Sequence, residues 1–352
     1  MTQTTRRRFL RISSLASLAG SSASPAFAAK EPSILQAGEP PLPAEDSFTI
    51  AVLPDTQTYC QRFPDGFHAQ TQWLVEQKKR RRIEAVLHLG DITEHNTPSQ
   101  WEVARAAMGR LDGELPYFFV PGNHDCGQNG KAADRSTLLN DYFPKSKYDK
   151  LPTFGGTYDK EPDSMCNSYH LFTAGGRKFL VIALEFGPRA DVVRWANEVA
   201  AKHANREAIL ITHAYTYLGN VRYDWQKFGE KQSWNPHSKS YPMAKNNGDD
   251  VMDGEELWQN LVSRHENFIL TLNGHVLREG LARLTSTTPG GRDVHQMLVN
   301  FQMKPNGGDS WLRLMEFTAQ GTVEVHDYSP TQDCSNLGAQ NRFTLKLSRP
   351  GN

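Results

Sequence analysis

The chain has 352 residues, with 39 Lys and Arg against 39 Asp and Glu, so its formal charge is zero. That balance argues against a duplex nucleic-acid partner, whose affinity rests on cations neutralising phosphates. No internal repeat, low-complexity block or Gly/Ser hinge divides the chain, and a single large domain is expected.

Residues 1–28 read as an address. Thr5-Arg6-Arg7-Arg8-Phe9-Leu10-Arg11 has the twin-arginine export pattern, a short apolar stretch follows, and Ala26-Phe27-Ala28 supplies a small-x-small cleavage site. The apolar stretch is too short to span a bilayer, so no stable membrane insertion is expected. Export through the twin-arginine machinery predicts a periplasmic or secreted protein. Residues 29–45, rich in Pro and polar groups, read as a linker, and 46–348 as the domain.

Within that domain, FTIAVL, AVLHL, PYFFV, AILI and FILTL are short apolar runs rich in β-branched and aromatic residues, as buried strands should be. Helical spacing covers 68–82, 98–111, 191–203 and 255–265, so the opening third alternates strand and helix like a parallel sheet with helices outside. Lys78 to Arg82 reads as the solvated end of a helix. Residues 169–172 and 178–184 predict a hairpin around Gly175-Gly176. Strand candidates at 280–286, 294–301, 311–317, 322–328 and 342–347 predict a largely antiparallel second sheet packed on the first. Between them, 214–252 lacks periodicity but is rich in Tyr and Trp, and reads as a long active-site loop.

Each of the five apolar runs is followed by metal-ligand side chains: Asp55 and Gln57, Asp91, Asn123 with His124 and Asp125, His213, and His275. Side chains ending several strands on one sheet edge converge, as a metal cage requires. Asp91, Asn123, His213 and His275 form a mixed N/O set suited to Mn, Fe or Zn. Asp55 and Gln57, two residues apart, share Asp91 to make a second, poorer position. Two divalent cations against two carboxylates leave a surplus of positive charge, which acidifies a bridging water and attracts a phosphate group. His124 is placed to contact the phosphoryl group or protonate the leaving oxygen, with Asp125 to orient it. His95 is a candidate for the layer behind the ligands, and Tyr215, His295 and Glu279 are candidates for substrate or outer contacts.

This constellation resembles the calcineurin-like metallophosphoesterase superfamily, whose pattern is D-x-H, G-D, G-N-H-[DE], H and G-H-x-H. The resemblance implies a four-layer αββα sandwich of two mixed β-sheets with a dimetal centre at the strand ends. Asp55 and Asp91 would then bind the first metal, and Asp91, Asn123, His213 and His275 the second. Two positions depart from the pattern. Gln57 stands where the first motif has His, and Leu277 where the last has its second His. Both losses fall on the first metal, so one firmly bound ion and a weaker second are expected, with Glu279 or His295 as replacement ligands. The expected function is an exported metal-dependent phosphoesterase attacking a small phosphomonoester or phosphodiester with a metal-activated hydroxide. The alternative is a non-catalytic metal-binding or interaction module with a degraded first site.

The four cysteines Cys60, Cys126, Cys166 and Cys334 permit two disulfides in an exported protein. Cys60 and Cys126 each follow a ligand segment and make the preferred pair, against free thiols.

Overall fold

The computed structural model describes residues 33–243 and 250–348; the export segment lies outside them. Seventeen strands appear among these residues: β1 (Leu35–Ala37), β2 (Phe48–Leu53), β3 (Ile83–His88), β4 (Tyr117–Phe119), β5 (Phe154–Thr157), β6 (Ser168–Ala174), β7 (Arg177–Leu184), β8 (Glu207–Thr212), β9 (Thr216–Tyr217), β10 (Val221–Arg222), β11 (Phe268–Asn273), β12 (Leu281–Thr287), β13 (Asp293–Val299), β14 (Leu312–Phe317), β15 (Thr322–Ser329), β16 (Cys334–Asn336) and β17 (Arg342–Lys346). One sheet runs β1-β16-β15-β14-β2-β3-β4, with β17 also on β15. The other runs β12-β13-β11-β8-β7-β6-β5, and β9 and β10 form a small hairpin of their own.

Both large sheets are mixed. In the first, β2, β3 and β4 are parallel, while β14 joins β2 antiparallel. In the second, β7, β8, β11 and β13 are parallel, with antiparallel strands at both edges. The inner faces meet in one apolar core, where Phe48 stacks on Phe317 at 5.1 Å. Helices Gln57–Arg62, Pro64–Gln77 and Pro98–Met108 cover the outer face of the first sheet, and Ala190–Lys202 and Gly254–Asn260 that of the second. The architecture is a four-layer αββα sandwich. With both sheets covered on both faces, β2 and β11 are buried along their whole length, which explains their unbroken apolar runs.

Three expectations need correction. The strands of the final quarter do not form a sheet of their own: β12 and β13 extend one sheet, and β14 to β17 the other. An apolar strand pattern carries no mark of which neighbour it will pair with. The stretch read as a linker lies against the body, with β1 paired to β16 and Glu39 accepting hydrogen bonds from Trp73, Arg80 and Arg81. Arg81 is therefore buried, not solvated, and also donates to the carbonyls of Pro40 and Pro41.

The preferred Cys60–Cys126 disulfide is absent, and all four cysteines are free thiols. Cys60 packs beneath the helices of the first sheet, whereas Cys126 belongs to a separate cluster under the long loop with Tyr217, Tyr223 and Tyr241. The two thiols thus belong to different cores and are not bonded to each other.

Candidate metal centre

The ends of β2, β3, β4, β8 and β11 bring Asp55, Asp91, Asn123, His213 and His275 to one edge of the sandwich. One ligand atom each from Asp91, His213 and His275 lies within 4.8 Å of the others, and all three residues are buried. Gln57, Asp91, Asn123, His124, His275 and Leu277 line a cleft of about 440 Å³. Asp55 lies deeper, its carboxylate accepting from the His275 backbone N–H at 3.0 Å and from Asn300 Nδ2 at 2.9 Å.

The backbone is shaped around these groups. Asp91 and His275 both adopt positive φ, 46° and 76°, where a residue with a Cβ is strained. A Cβ on Gly122 would sit 2.1 Å from Asp91 Oδ1, and one on Gly274 would sit 1.9 Å from Asp55 Oδ1. The glycines of the G-N-H-D and G-H segments are thus needed for close approach, whatever their φ.

Hydrogen bonds fix which ring nitrogens remain available. His213 Nδ1 faces the Leu89 carbonyl at 2.8 Å and His275 Nε2 faces the Trp234 carbonyl at 2.7 Å. A carbonyl only accepts, so each of those nitrogens carries the proton, and His213 Nε2 and His275 Nδ1 keep lone pairs in the neutral rings. His213 Nε2 lies 3.1 Å from Asp91 Oδ1 without hydrogen-bond alignment. Two acceptors at that separation repel unless a proton or a cation serves both.

His213 Nε2, Asn123 Oδ1 and Gln57 Oε1 are buried with no hydrogen-bond partner. Buried acceptors are ordinarily satisfied. Three orphans around two carboxylates fit a divalent cation, and the chemistry of the donors suits one.

Charge follows the same geometry. Burial raises the Asp55 carboxyl, and Asp91 adds to this against the lowering by His213. For Asp91 burial is outweighed by His213 and His124, which hold it well below the usual carboxylate range. Burial opposes a charged His213, yet Asp91 wins and lifts it to about 9. His275 is pushed down to about 3, chiefly by burial and then by His213.

His124 lines the cleft, with Nδ1 at 2.9 Å from the Glu94 carbonyl and 3.9 Å from Glu94 Oε1. Burial opposes its charged form, but Asp91 and Glu94 raise its pKa. Asp125 does not assist it, contrary to expectation. Its carboxylate accepts from the N–H groups of Gly122, Ile92 and Thr93 and from the Thr93 hydroxyl, tying two motif loops together.

The outer candidates fall away. Glu279 is exposed and does not line the cleft. His295 is held on β13 by Thr285 and the Lys346 carbonyl, so neither supplies the missing ligand. Tyr215 is buried in the outer cluster of the second sheet. His95 bonds Gln61, which lines the cleft, and is not itself part of that lining. Glu94 and Asn300 escaped the sequence reading. Asn300 follows the apolar end of β13, the same signal that marked the five ligand segments. From the long loop, Trp234 and Tyr241 reach the cleft, and Arg62, Phe63 and Met303 stand at its mouth.

Sandwich and site together have the form of the metallophosphoesterase fold. The chain belongs to the calcineurin-like phosphoesterase family, whose profile matches residues 48–276. An uncharacterised protein of Bacillus subtilis, YvnB, is 28% identical over 319 residues, covering 87% of this chain. The match covers only 22% of that relative's length. Among solved structures, the purple acid phosphatase PPD1 of yellow lupin matches 87% of this chain and 55% of its own, at 14% identity and a TM-score of 0.47. GAP50, described as the anchor in the inner membrane complex of Plasmodium, matches 87% of this chain and 90% of its own, at 13% identity and a TM-score of 0.48.

Proposed function

We propose that the chain is a metal-dependent phosphoesterase acting on a small phosphomonoester or phosphodiester. The observation that carries this reading is the set of buried, donorless acceptors at His213, Asn123 and Gln57 around Asp55 and Asp91. Asp91, Asn123, His213 and His275 would hold one divalent ion of the Mn, Fe or Zn kind, with Asp55 and Gln57 beside Asp91 for a second. When bound, such ions polarise phosphoryl oxygens and lower the pKa of water.

The chain's own residues do the rest. The Leu89 and Trp234 carbonyls fix the two imidazoles in the tautomers that leave lone pairs toward the site. Asn300 and the His275 N–H hold Asp55 in place. His124, with Nδ1–H donated to the Glu94 carbonyl, presents Nε2 as the atom that carries a proton to the leaving oxygen. Asp91 and Glu94 raise its pKa, so the protonated form persists to higher pH than in a free histidine.

Turnover of p-nitrophenyl phosphate and bis-(p-nitrophenyl) phosphate by chelator-treated protein, with Mn, Fe, Zn, Mg and Ca restored in turn, tests this. The expected result is metal-dependent hydrolysis that His213→Ala abolishes. No turnover of either ester with any metal favours the non-catalytic module, the reading that Gln57 and Leu277 in place of imidazoles support.

We further propose export by the twin-arginine machinery to the periplasm or beyond, resting on residues 5–28. Replacing Arg6 and Arg7 by Lys should retain the protein inside the cell, and unchanged export would contradict this. No helix among the described residues is long and apolar enough to cross a membrane. The neutral chain favours a small substrate over a duplex nucleic acid.

A further inference from the structure

We propose that the metal centre is chemically asymmetric: beside the imidazole position at His213 and His275 lies an all-oxygen position, built from Asp55, Asp91 and the Gln57 side-chain carbonyl, that selects a hard cation of the Mg, Ca or Mn class, with Glu94 as the residue that positions the Gln57 amide. The inference rests on the metal centre proposed above and goes beyond it in assigning a different ion to each position.

Gln57 opens helix Gln57–Arg62, is 4% exposed and lines the cleft. Its Nε2 donates to Glu94 Oε2 at 2.8 Å. A carboxylate only accepts, so the amide is held with its NH₂ toward Glu94, and the rotation of the group is decided. Oε1 is then left on the other side, buried and without a donor. Gln70, in the helix layer, also leaves its Oε1 unpaired, so the Gln57 carbonyl is singled out by its place in the cleft lining beside Asp91.

The rest of this position is oxygen too. Asp55 offers a carboxylate, and Asp91 can be shared. Leu277 lines the same cleft but brings no donor atom. His295 and Glu279, which could have supplied one, are elsewhere. The imidazoles grouped with Asp91 are those of His213 and His275, and among the described residues no further imidazole joins Asp55 and Gln57. Carboxylate and amide carbonyl oxygens suit hard cations, whereas imidazole suits Zn and Fe. Glu94 acts through Gln57, since holding a ligand's far end typically changes metal affinity by ~10–100-fold.

The test is metal binding, with no substrate present. Full-length protein is stripped with chelator, loaded with Zn²⁺, dialysed, and titrated with Mn²⁺ (free-ion paramagnetic resonance) or Tb³⁺ (luminescence sensitised by Trp234 and Tyr241 in the cleft). One retained zinc and one further equivalent of Mn²⁺ or Tb³⁺, displaced by Ca²⁺ better than by added Zn²⁺, are expected. Glu94→Gln should weaken the Mn²⁺ step about tenfold or more while the zinc stays. Gln57→His should turn the second equivalent over to zinc. Two zinc ions held with similar affinity by the unaltered chain would overturn the proposal. So would unchanged Mn²⁺ binding in Gln57→Leu, which would mean that the orphan carbonyl takes only a water. Zero retained zinc before Mn²⁺ is added would instead defeat the underlying metal centre, and the retained zinc also reports that each variant has folded.

Discussion

Metal uptake should be coupled to the loss of a proton from His213. In the metal-free chain, Asp91 overcomes burial and raises this imidazole to about 9. Only ~1% of the ring is then unprotonated at pH 7, two units lower, so apparent affinity there is about a hundredfold below its limit. Affinity should climb tenfold per pH unit from 7 toward 9. His275, lowered to about 3, is already neutral across this window, and Asp55, raised to about 7, adds slope only at its lower end. The sign for stability is opposite: with its folded pKa raised, His213 stabilises the metal-free chain fully below the unfolded value of about 6.5, and that contribution is lost as pH rises through about 9. Competition against a chromophoric chelator between pH 7 and 8.5, with calorimetry in two buffers of different ionisation heat, measures slope and proton release together. About one proton should leave per first metal bound. Affinity that stays flat across this range, with no proton released, would refute the pairing of His213 with Asp91 as the gate to metal entry.

Other predictions follow from contacts outside the ligand set. In Gly122→Ala the new Cβ meets Asp91 Oδ1 at 2.1 Å and must gain about 0.9 Å to reach 3.0 Å; a shift of that size should cost ~100-fold in turnover, and activity within threefold of the original would contradict it. Arg313 and Asp327 are fully buried and bidentate at 2.7 and 2.8 Å across β14 and β15. Arg313→Met, which strands the carboxylate, should lose ~3–5 kcal/mol in urea unfolding. The long loop is latched where His237 Nε2 meets Glu256 Oε2 at 2.7 Å. Burial opposes the charge on His237, but Glu256 raises its pKa. The latch is therefore intact below pH 6.5 and released as pH rises through the raised value. Proteolytic nicking of the loop should accelerate in that direction, and His237→Gln should remove the pH dependence.

The sequence marked the five ligand segments because each combines two local signals: an apolar strand and a polar residue at its end. Where only one signal was present, the reading failed. Glu94 sits three residues past Asp91 in a loop, and nothing in its own neighbourhood says that Gln57, 37 positions earlier, donates to it at 2.8 Å. The helix beginning at Gln57 was missed because it starts on a ligand with no side-chain cap. Asp125 was misjudged by adjacency: in the short helical turn Asn123–Asp125 it turns away from His124, toward three backbone N–H groups. Arg81 reads locally as a solvent charge, yet its partners Glu39, Pro40 and Pro41 precede it by some forty residues.

The two departures from the family pattern can be weighed by what the site costs when empty of cations. Asp91 and His275 hold positive φ, each costing ~1–3 kcal/mol. Asn123 Oδ1 and Gln57 Oε1 are buried acceptors without donors, at ~1–3 kcal/mol each. Together these four reach ~4–12 kcal/mol, comparable with the whole net stability of a typical domain. A fold that had given up metal binding would be stabilised by relaxing any of them, and a single apolar residue at Gln57 would suffice for one. Instead, the apolar replacement falls at Leu277, elsewhere in the lining of the same cleft. Gln57 keeps its carbonyl free and has its amide pinned by Glu94. That pairing makes sense for a position altered in its choice of ion, and little sense for one abandoned.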